Sequence, residues 1–223
     1  KQCDKYHSKG CFYTRTTGIW QTVWLEFVPR MYLKSVQVTT DYRMGSVTFL
    51  ATVNELPKAL TLRTSISFDG KPCASFETPL SAGGTIYTMQ VGDVKCWDIL
   101  QPNLYDVTYE LLDGNAVIDT VQSYFGFRTV ELREHSLWLN GRPIFQRLVL
   151  DQGYYPDGVY TAPTDADLKR DIELSIALGF NGARLHQKVF EERFLYWADR
   201  LGYLVWGEQA SWGLDITTSE GLI

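Results

Sequence analysis

The stretch from Leu178 to Trp212, LGFNGARLHQKVFEERFLYWADRLGYLVWGEQASW, constrains the fold more than any other part of the chain. It reads as strand, helix, strand. Gly179 suits the residue after a helix, because glycine enters left-handed φ/ψ without a side-chain clash, and Phe180–His186 then forms a short strand. Phe190, Phe194, Trp197, Ala198 and Leu201 recur at helical spacing, with Glu191, Glu192, Arg193 and Arg200 between them. Gly202 closes that helix, and Tyr203–Trp206 is an apolar run suited to a strand buried on both faces. Upstream, Ile144–Leu150 reads as another apolar strand and Asp151–Pro163 as a polar, aromatic loop. Thr164 caps a further helix with Asp167 at its third position, and Leu168, Ile172, Ile176 and Leu178 form the inner stripe. Arg142–Trp212 is therefore β-loop-α-β-α-β, and right-handed crossovers of this kind build parallel sheets or barrels.

The polar residues of this segment fall at the ends of its strands. Asp151 ends the first, Arg184, His186 and Gln187 the second, and Glu208, Gln209 and Trp212 the third. In a parallel α/β sheet those ends open on one face, where ligands bind. An arginine, an imidazole, carboxylates and an indole gathered there suit a sugar: the charged groups hydrogen-bond hydroxyls and the indole stacks on the ring's C–H face. Two plainer readings stand beside this one. Arg184 and Glu208 can form a structural ion pair between neighbouring strand ends, and Asp151 can close an Asx-turn with Gly153. Of Tyr154, Tyr155 and Tyr160, one or two should face a ligand and the rest pack the loop. His7 and His135 are lone loop histidines without partner spacing.

Before this segment the periodicity is β. Phe12–Phe27 holds two apolar runs around a Thr16-Thr17-Gly18 turn, expected as two strands of a sheet. Ser35–Thr40, Ser46–Val53 and Leu60–Phe68 alternate, and Ile86–Val91, Tyr105–Leu112 and Val117–Phe127 supply further strands. Turns fall at Asp69-Gly70, Ala82-Gly83-Gly84 and Asp113-Gly114. About seven short strands at this spacing describe a small immunoglobulin-like sandwich. Leu137–Pro143 then reads as a hairpin around Asn140-Gly141.

Composition narrows the functional classes. A net charge of −5 argues against nucleic acid as a partner, since phosphate binding needs a basic face. No apolar run approaches the roughly 20 residues that span a bilayer. Cys3, Cys11, Cys73 and Cys96 fit no zinc template and favour unpaired thiols in a reducing compartment over a Cys3–Cys11 bridge. The chain holds no Asn-x-Ser/Thr acceptor, no glycine-rich phosphate loop, no G-x-S-x-G elbow and no H-E-x-x-H helix, so neither metal nor cofactor is expected. The N-terminus has neither a methionine nor a signal-peptide core, and the C-terminus stops in a loop; both suggest a piece of something larger.

Several of these motifs together resemble the family 2 glycoside hydrolases, the β-galactosidases, β-glucuronidases and their relatives. Tyr13–Leu25, YTRTTGIWQTVWL, is similar to the end of that family's jelly-roll sugar-binding domain. Pro102-Asn103-Leu104-Tyr105, Phe125-Gly126-Phe127-Arg128 and Leu139-Asn140-Gly141 resemble the end of its immunoglobulin-like domain and the entry to its barrel. Gly179-Phe180-Asn181, Arg184, Trp197–Gly202 and Glu208 resemble barrel strands two and three with their helix. The resemblance implies a multidomain β plus α/β fold: a jelly-roll tail over residues 1–31, an immunoglobulin-like β-sandwich over 32–128, and the start of a (β/α)8 TIM barrel over 129–223. It implies retaining hydrolysis of a terminal β-glycoside by an exo-acting enzyme, β-galactosidase-like, on an oligosaccharide or glycoside substrate. In the family one glutamate acts as nucleophile and another as general acid/base, with carboxyls about 5–5.5 Å apart. Both match positions after Ile223, so no catalytic residue is assigned here, and Glu208 matches a strand-three position that is neither. Asp151, Arg184, His186, Glu208 and Trp212 are the expected substrate-binding residues. Relatives carry a histidine where this chain has Gln187, and a histidine-rich loop where it has Asp151–Gly158, which leaves the sugar open. A non-catalytic carbohydrate-binding or structural module is the alternative. A homo-oligomer is compatible with these features, and a cytoplasmic location is expected, with periplasmic or secreted the alternative.

Overall fold

In a computed structural model the described residues are 3, 6, 7, 9, 10 and 12–209. They divide into two compact units, one of residues 25–145 and one of residues 1–24 with 146–223.

The first unit is a two-sheet sandwich. Its strands are β1 (Leu33–Asp41), β2 (Ser46–Val53), β3 (Thr61–Phe68), β4 (Lys71–Pro79), β5 (Thr85–Gln90), the short β6 (Trp97–Asp98) and β7 (Gln101–Pro102), β8 (Tyr105–Asp113) and β9 (Ala116–Phe125). Antiparallel pairing gives one sheet in the order β1-β2-β5 and another in the order β4-β3-β8-β9. Alternation decides what each strand buries. Val47, Phe49 and Ala51 of β2 meet Leu62 and Ile66 of β3 and Val107 and Tyr109 of β8 in one core, closed by Phe125 and Phe127. The Asp69-Gly70 turn has both residues at positive φ, as a two-residue hairpin requires.

A small antiparallel sheet follows: β10 (Val130–Arg133), β11 (Ser136–Leu139) and β12 (Arg142–Ile144). Asn140 and Gly141 take φ of 50° and 76° and form the expected hairpin turn. Asn140 also ties this sheet to the sandwich, its Nδ2 donating to the Trp97 carbonyl at 2.8 Å and its Oδ1 accepting from Thr129 N at 3.0 Å.

The second unit alternates strands and helices: β13 (Leu148–Asp151), α1 (Asp165–Ala177), β14 (Gly182–Leu185), α2 (Glu192–Leu201) and β15 (Leu204–Trp206). The three strands are parallel, in the order β13-β14-β15. Thr164 caps α1, accepting from Asp167 N at 3.3 Å. Gly202, in the left-handed conformation, ends α2. Leu168, Ile172, Ala183, Leu185, Phe194, Ala198 and Tyr203 form the core between helices and sheet.

Three expectations are corrected, and one strand is added. Residues 14–32 contain no strand. Most of their apolar side chains are exposed, Leu25 at 86% and Phe27 at 97%, and among the described residues no strand pairs with this backbone. Ile144 belongs to the hairpin, so the first parallel strand starts at Leu148. Leu178 is exposed at the end of α1 and not part of its inner stripe. The strand β4 was not expected at all. Its mostly exposed edge position tolerates Pro72 and Pro79 and needs no alternation. Cys73 and Cys96 carry free thiols, and Cys11 lies outside the described residues.

Candidate functional site

The register of the parallel strands places the candidate residues. Leu148, Gly182 and Leu204 stand side by side, and two residues on so do Leu150, Arg184 and Trp206. Ala183 and Leu185 are buried towards the helices, so Gly182 and Arg184 project from the opposite face. Gly182 is required there: a Cβ would lie 2.5 Å from the Leu204 carbonyl oxygen and 2.7 Å from Leu148 Cδ2. Below it, Asn181 accepts from Arg147 N at 2.8 Å through Oδ1, and its carbonyl accepts from Leu204 N at 2.9 Å. These bonds fix the height of Arg184 against its neighbours.

At the C-terminal end of the sheet Arg184 Nε donates to Glu208 Oε1, and Gln187 N donates to Glu208 Oε2 at 3.0 Å. Both carboxylate oxygens are thus engaged from β14 and the turn after it. The Arg184 hydrogen bond, above all, holds the Glu208 carboxyl below its usual range, so it is an anion. Gln187 reaches this bond only because it adopts φ of 53°, which turns the chain sharply after Leu185-His186. His186 N donates to the Asp151 carbonyl at 2.8 Å, and His186 Nδ1 lies 3.0 Å from Gln152 Oε1.

Of the five expected binding residues, Arg184 and Glu208 are joined directly, and His186 stands two residues from Arg184 against the first loop. Asp151 turns back into its own loop, accepting from Gly153 N at 2.8 Å in the Asx-turn that was the plainer reading. Burial raises the Asp151 carboxyl above its ordinary range, and the Gly153 amide offsets only part of that. Trp212 lies outside the described residues. In the loop, Tyr155 and Tyr160 are buried and Tyr154 is 37% exposed, its ring tilted at 36° against Tyr13 with centroids 4.8 Å apart. Tyr155 is a packing residue whose hydroxyl donates to Asp171 Oδ2 at 2.9 Å.

Sequence reasoning passed over Gln152, the partner of His186, and Lys188. Lys188 is only 5% exposed, with Nζ donating to the carbonyls of Gly153 at 2.6 Å and Tyr160 at 2.7 Å. Strand β14 ends at Leu185 and the chain turns at Gln187, so alternation along the strand does not extend to Lys188.

Chemically, the strand ends offer a fixed carboxylate, a half-exposed guanidinium and an imidazole, a set that hydrogen-bonds vicinal hydroxyls. Comparison with known proteins agrees with the fold. Residues 31–128 match the sequence model of the glycosyl hydrolases family 2. The chain is 29% identical over 198 residues to a putative beta-glucuronidase of Formosa agariphila, covering 86% of this chain and 24% of that protein. It is 28% identical over 209 residues to a beta-galactosidase of Vibrio vulnificus, covering 86% of this chain and 20% of that one. A family 2 member from Bacteroides cellulosilyticus superposes with a TM-score of 0.73 at 24% identity, over 80% of this chain and 26% of that chain. A Ruminococcus gnavus beta-glucuronidase gives 0.69 at 20% identity, over 82% of this chain and 30% of the other. The chain thus spans less than a third of the length of each of these proteins. On the match at residues 31–128, the relatives that align with most of the sequence and the shared fold, the chain is similar to members of glycosyl hydrolase family 2.

Proposed function

We propose that this chain forms part of a retaining exo-β-glycosidase, with its parallel strands the beginning of a (β/α)8 barrel and their C-terminal ends one wall of the sugar pocket. The observation that carries this reading is the junction of Arg184, Gln187 and Glu208 at the strand ends, in a chain whose relatives are named as beta-glucuronidases and beta-galactosidases. On this reading Glu208 and Arg184 bind and orient sugar hydroxyls, and His186, backed by Gln152, lines the same wall. Arg184, which never loses its charge, also keeps neighbouring carboxylates ionised. The two reacting carboxylates come from sequence after Ile223. One attacks the anomeric carbon while the other protonates the leaving oxygen, and water then resolves the glycosyl-enzyme. The sandwich, on this reading an immunoglobulin-like domain, follows the sugar-binding part and precedes the catalytic part in sequence.

The test is a panel of nitrophenyl β-galactoside, β-glucoside, β-glucuronide and β-mannoside. The chain ending at Ile223 is expected to show no turnover above buffer. A polypeptide that continues past it is expected to hydrolyse at least one member, with the first-formed sugar in the β configuration by NMR. Turnover by the shorter chain would overturn the placement of the carboxylates. An α first product would overturn retention, and binding without turnover by the longer chain would leave a carbohydrate-binding module.

A further inference from the structure

We propose that Lys188 is a positioning residue for the candidate pocket: its buried ammonium clamps the two ends of the loop that carries Gln152, and so fixes the wall on which His186 stands. The inference rests on the β-glycosidase reading for what the pocket binds. The clamp itself rests on geometry.

The Lys188 side chain runs beneath the loop after β13. Its two hydrogen-bond acceptors, the carbonyls of Gly153 and Tyr160, lie at the loop's opposite ends. The remaining space round Nζ is filled by aromatic rings from three segments: Trp20 at 5.1 Å, Tyr160 at 4.9 Å and Phe190 at 5.0 Å from the ring centroids. Among the described residues no carboxylate comes within ion-pair distance of it. A lone buried ammonium is costly to desolvate, so this arrangement is not an apolar core residue in charged form. The cation supplies what an aliphatic side chain in its place would lack, donors for two buried carbonyls and a charge for three ring faces.

The loop is shaped to accept it. Gly153 has φ of 59°, and a Cβ there would meet Phe190 Cζ at 2.6 Å and Lys188 Cδ and Nζ at 2.9 Å. Trp20 closes the other side, its carbonyl accepting from Thr161 Oγ1 and its ring packing edge-on to Tyr160 at 5.2 Å. Between the clamp and the strand stands Gln152, next to Gly153 and 3.0 Å from His186 Nδ1. Displacing the Gly153 carbonyl therefore displaces the partner of His186. A wall that touches the non-reacting part of a sugar contributes equally to ground state and transition state, so its loss should appear in KM and not in kcat.

Two readouts test this on Lys188→Met, which keeps the length of the side chain and removes its donors and charge. In the enzyme-length protein, KM for its aryl β-glycoside should rise about fivefold or more with kcat within about twofold. In the same protein, amide exchange at residues 152–161 should accelerate about tenfold, while the sandwich strands stay as they were. Unchanged exchange overturns the clamp whatever the kinetics. Faster exchange with unchanged KM makes Lys188 a support of the fold alone and overturns its positioning role. A wild-type protein that hydrolyses no β-glycoside defeats the glycosidase reading, while the exchange measurement still decides the clamp. Should Lys188→Met not fold, Trp20→Leu, which removes one ring and leaves both carbonyl bonds, is read in the same two assays. A raised KM with faster exchange at 152–161 supports the proposal, and neither change overturns it.

Discussion

At the scale of single residues, the Arg184–Glu208 contact separates two roles that look alike on paper. Arg184 has a side chain 52% exposed, so solvent screens the pair and its contribution to folding is small, about 0–1 kcal/mol. A catalytic-support role would be larger: orienting a carboxylate in a closed pocket is a preorganised interaction of about 2–4 kcal/mol in the transition state. Arg184→Ala in the enzyme-length protein is therefore expected to lower kcat and leave the melting temperature nearly unchanged. An unchanged kcat beside a lowered melting temperature would leave only the structural pair. Lys188 gives a second prediction, in pH. Burial, the main cause, lowers its amine from 10.5 to about 8, against the smaller opposing influence of Glu191 and Asp151. The folded amine thus loses its proton before the unfolded one. The destabilising buried charge is fully present below about pH 8 and is relieved as pH rises towards 10.5. Urea unfolding of wild type and Lys188→Met at pH 7 and pH 10 should show wild type gaining on the variant at the higher pH, other titrations cancelling between the two. A constant difference would mean that Lys188 is not desolvated. Arg184 and Glu208 were legible in sequence because both fall at strand ends of opposite charge. Lys188 was not, because nothing in a one-dimensional pattern shows that Trp20 comes to lie over it.

Among the elements, the legible ones announce their own boundaries. Thr164 with Asp167 marked the start of α1, and Gly202 the end of α2, because cap geometry depends on residues adjacent in sequence. Strands announce themselves only when a half-buried face imposes alternation. β2, β3 and β8 do so, with buried Val47, Phe49, Ala51, Leu62, Ile66, Val107 and Tyr109. The edge strand β4 does not. The apolar residues between Phe12 and Phe27 had the composition of strands without strand pairing, since pairing is settled by a partner and not by propensity. The cap of α1 is open to direct measurement. Thr164 Oγ1 accepts from Asp167 N and donates to Asp167 Oδ2 at 2.6 Å, at a site exposed to solvent. Thr164→Ala should cost about 1 kcal/mol in chemical denaturation, and Thr164→Ser much less. Equal losses for both would mean that the hydroxyl does not cap the helix.

At the scale of the whole molecule, the sandwich poses a question of boundaries that its stability can answer. The family match ends at residue 128, and the compact unit extends to Phe145. The difference lies in the sheet β10-β11-β12 and its anchor to the sandwich. Trp97 is 1% exposed, and its carbonyl accepts from Asn140 Nδ2. Asp98 accepts from Arg142 at 2.5 Å, and Arg128 lies over the Trp97 ring at 4.8 Å. A polypeptide cut at residue 128 keeps the two sheets and their shared core, so Tyr32–Arg128 should still unfold cooperatively. It would, however, remove the Asn140 donor from the Trp97 carbonyl and the Arg142 donor from Asp98. Loss of a hydrogen bond costs about 0.5–1.5 kcal/mol, so residues 25–145 should be more stable than residues 32–128 by about that amount or more. The discriminating variant is Asn140→Ala within residues 25–145. If the hairpin acts through Asn140, this change reproduces most of the loss seen on truncation, because it removes the bond to Trp97 while leaving β10, β11 and β12 in place. Equal stability of the two lengths would show instead that the hairpin hangs from the sandwich without supporting it, and that the unit ends at residue 128.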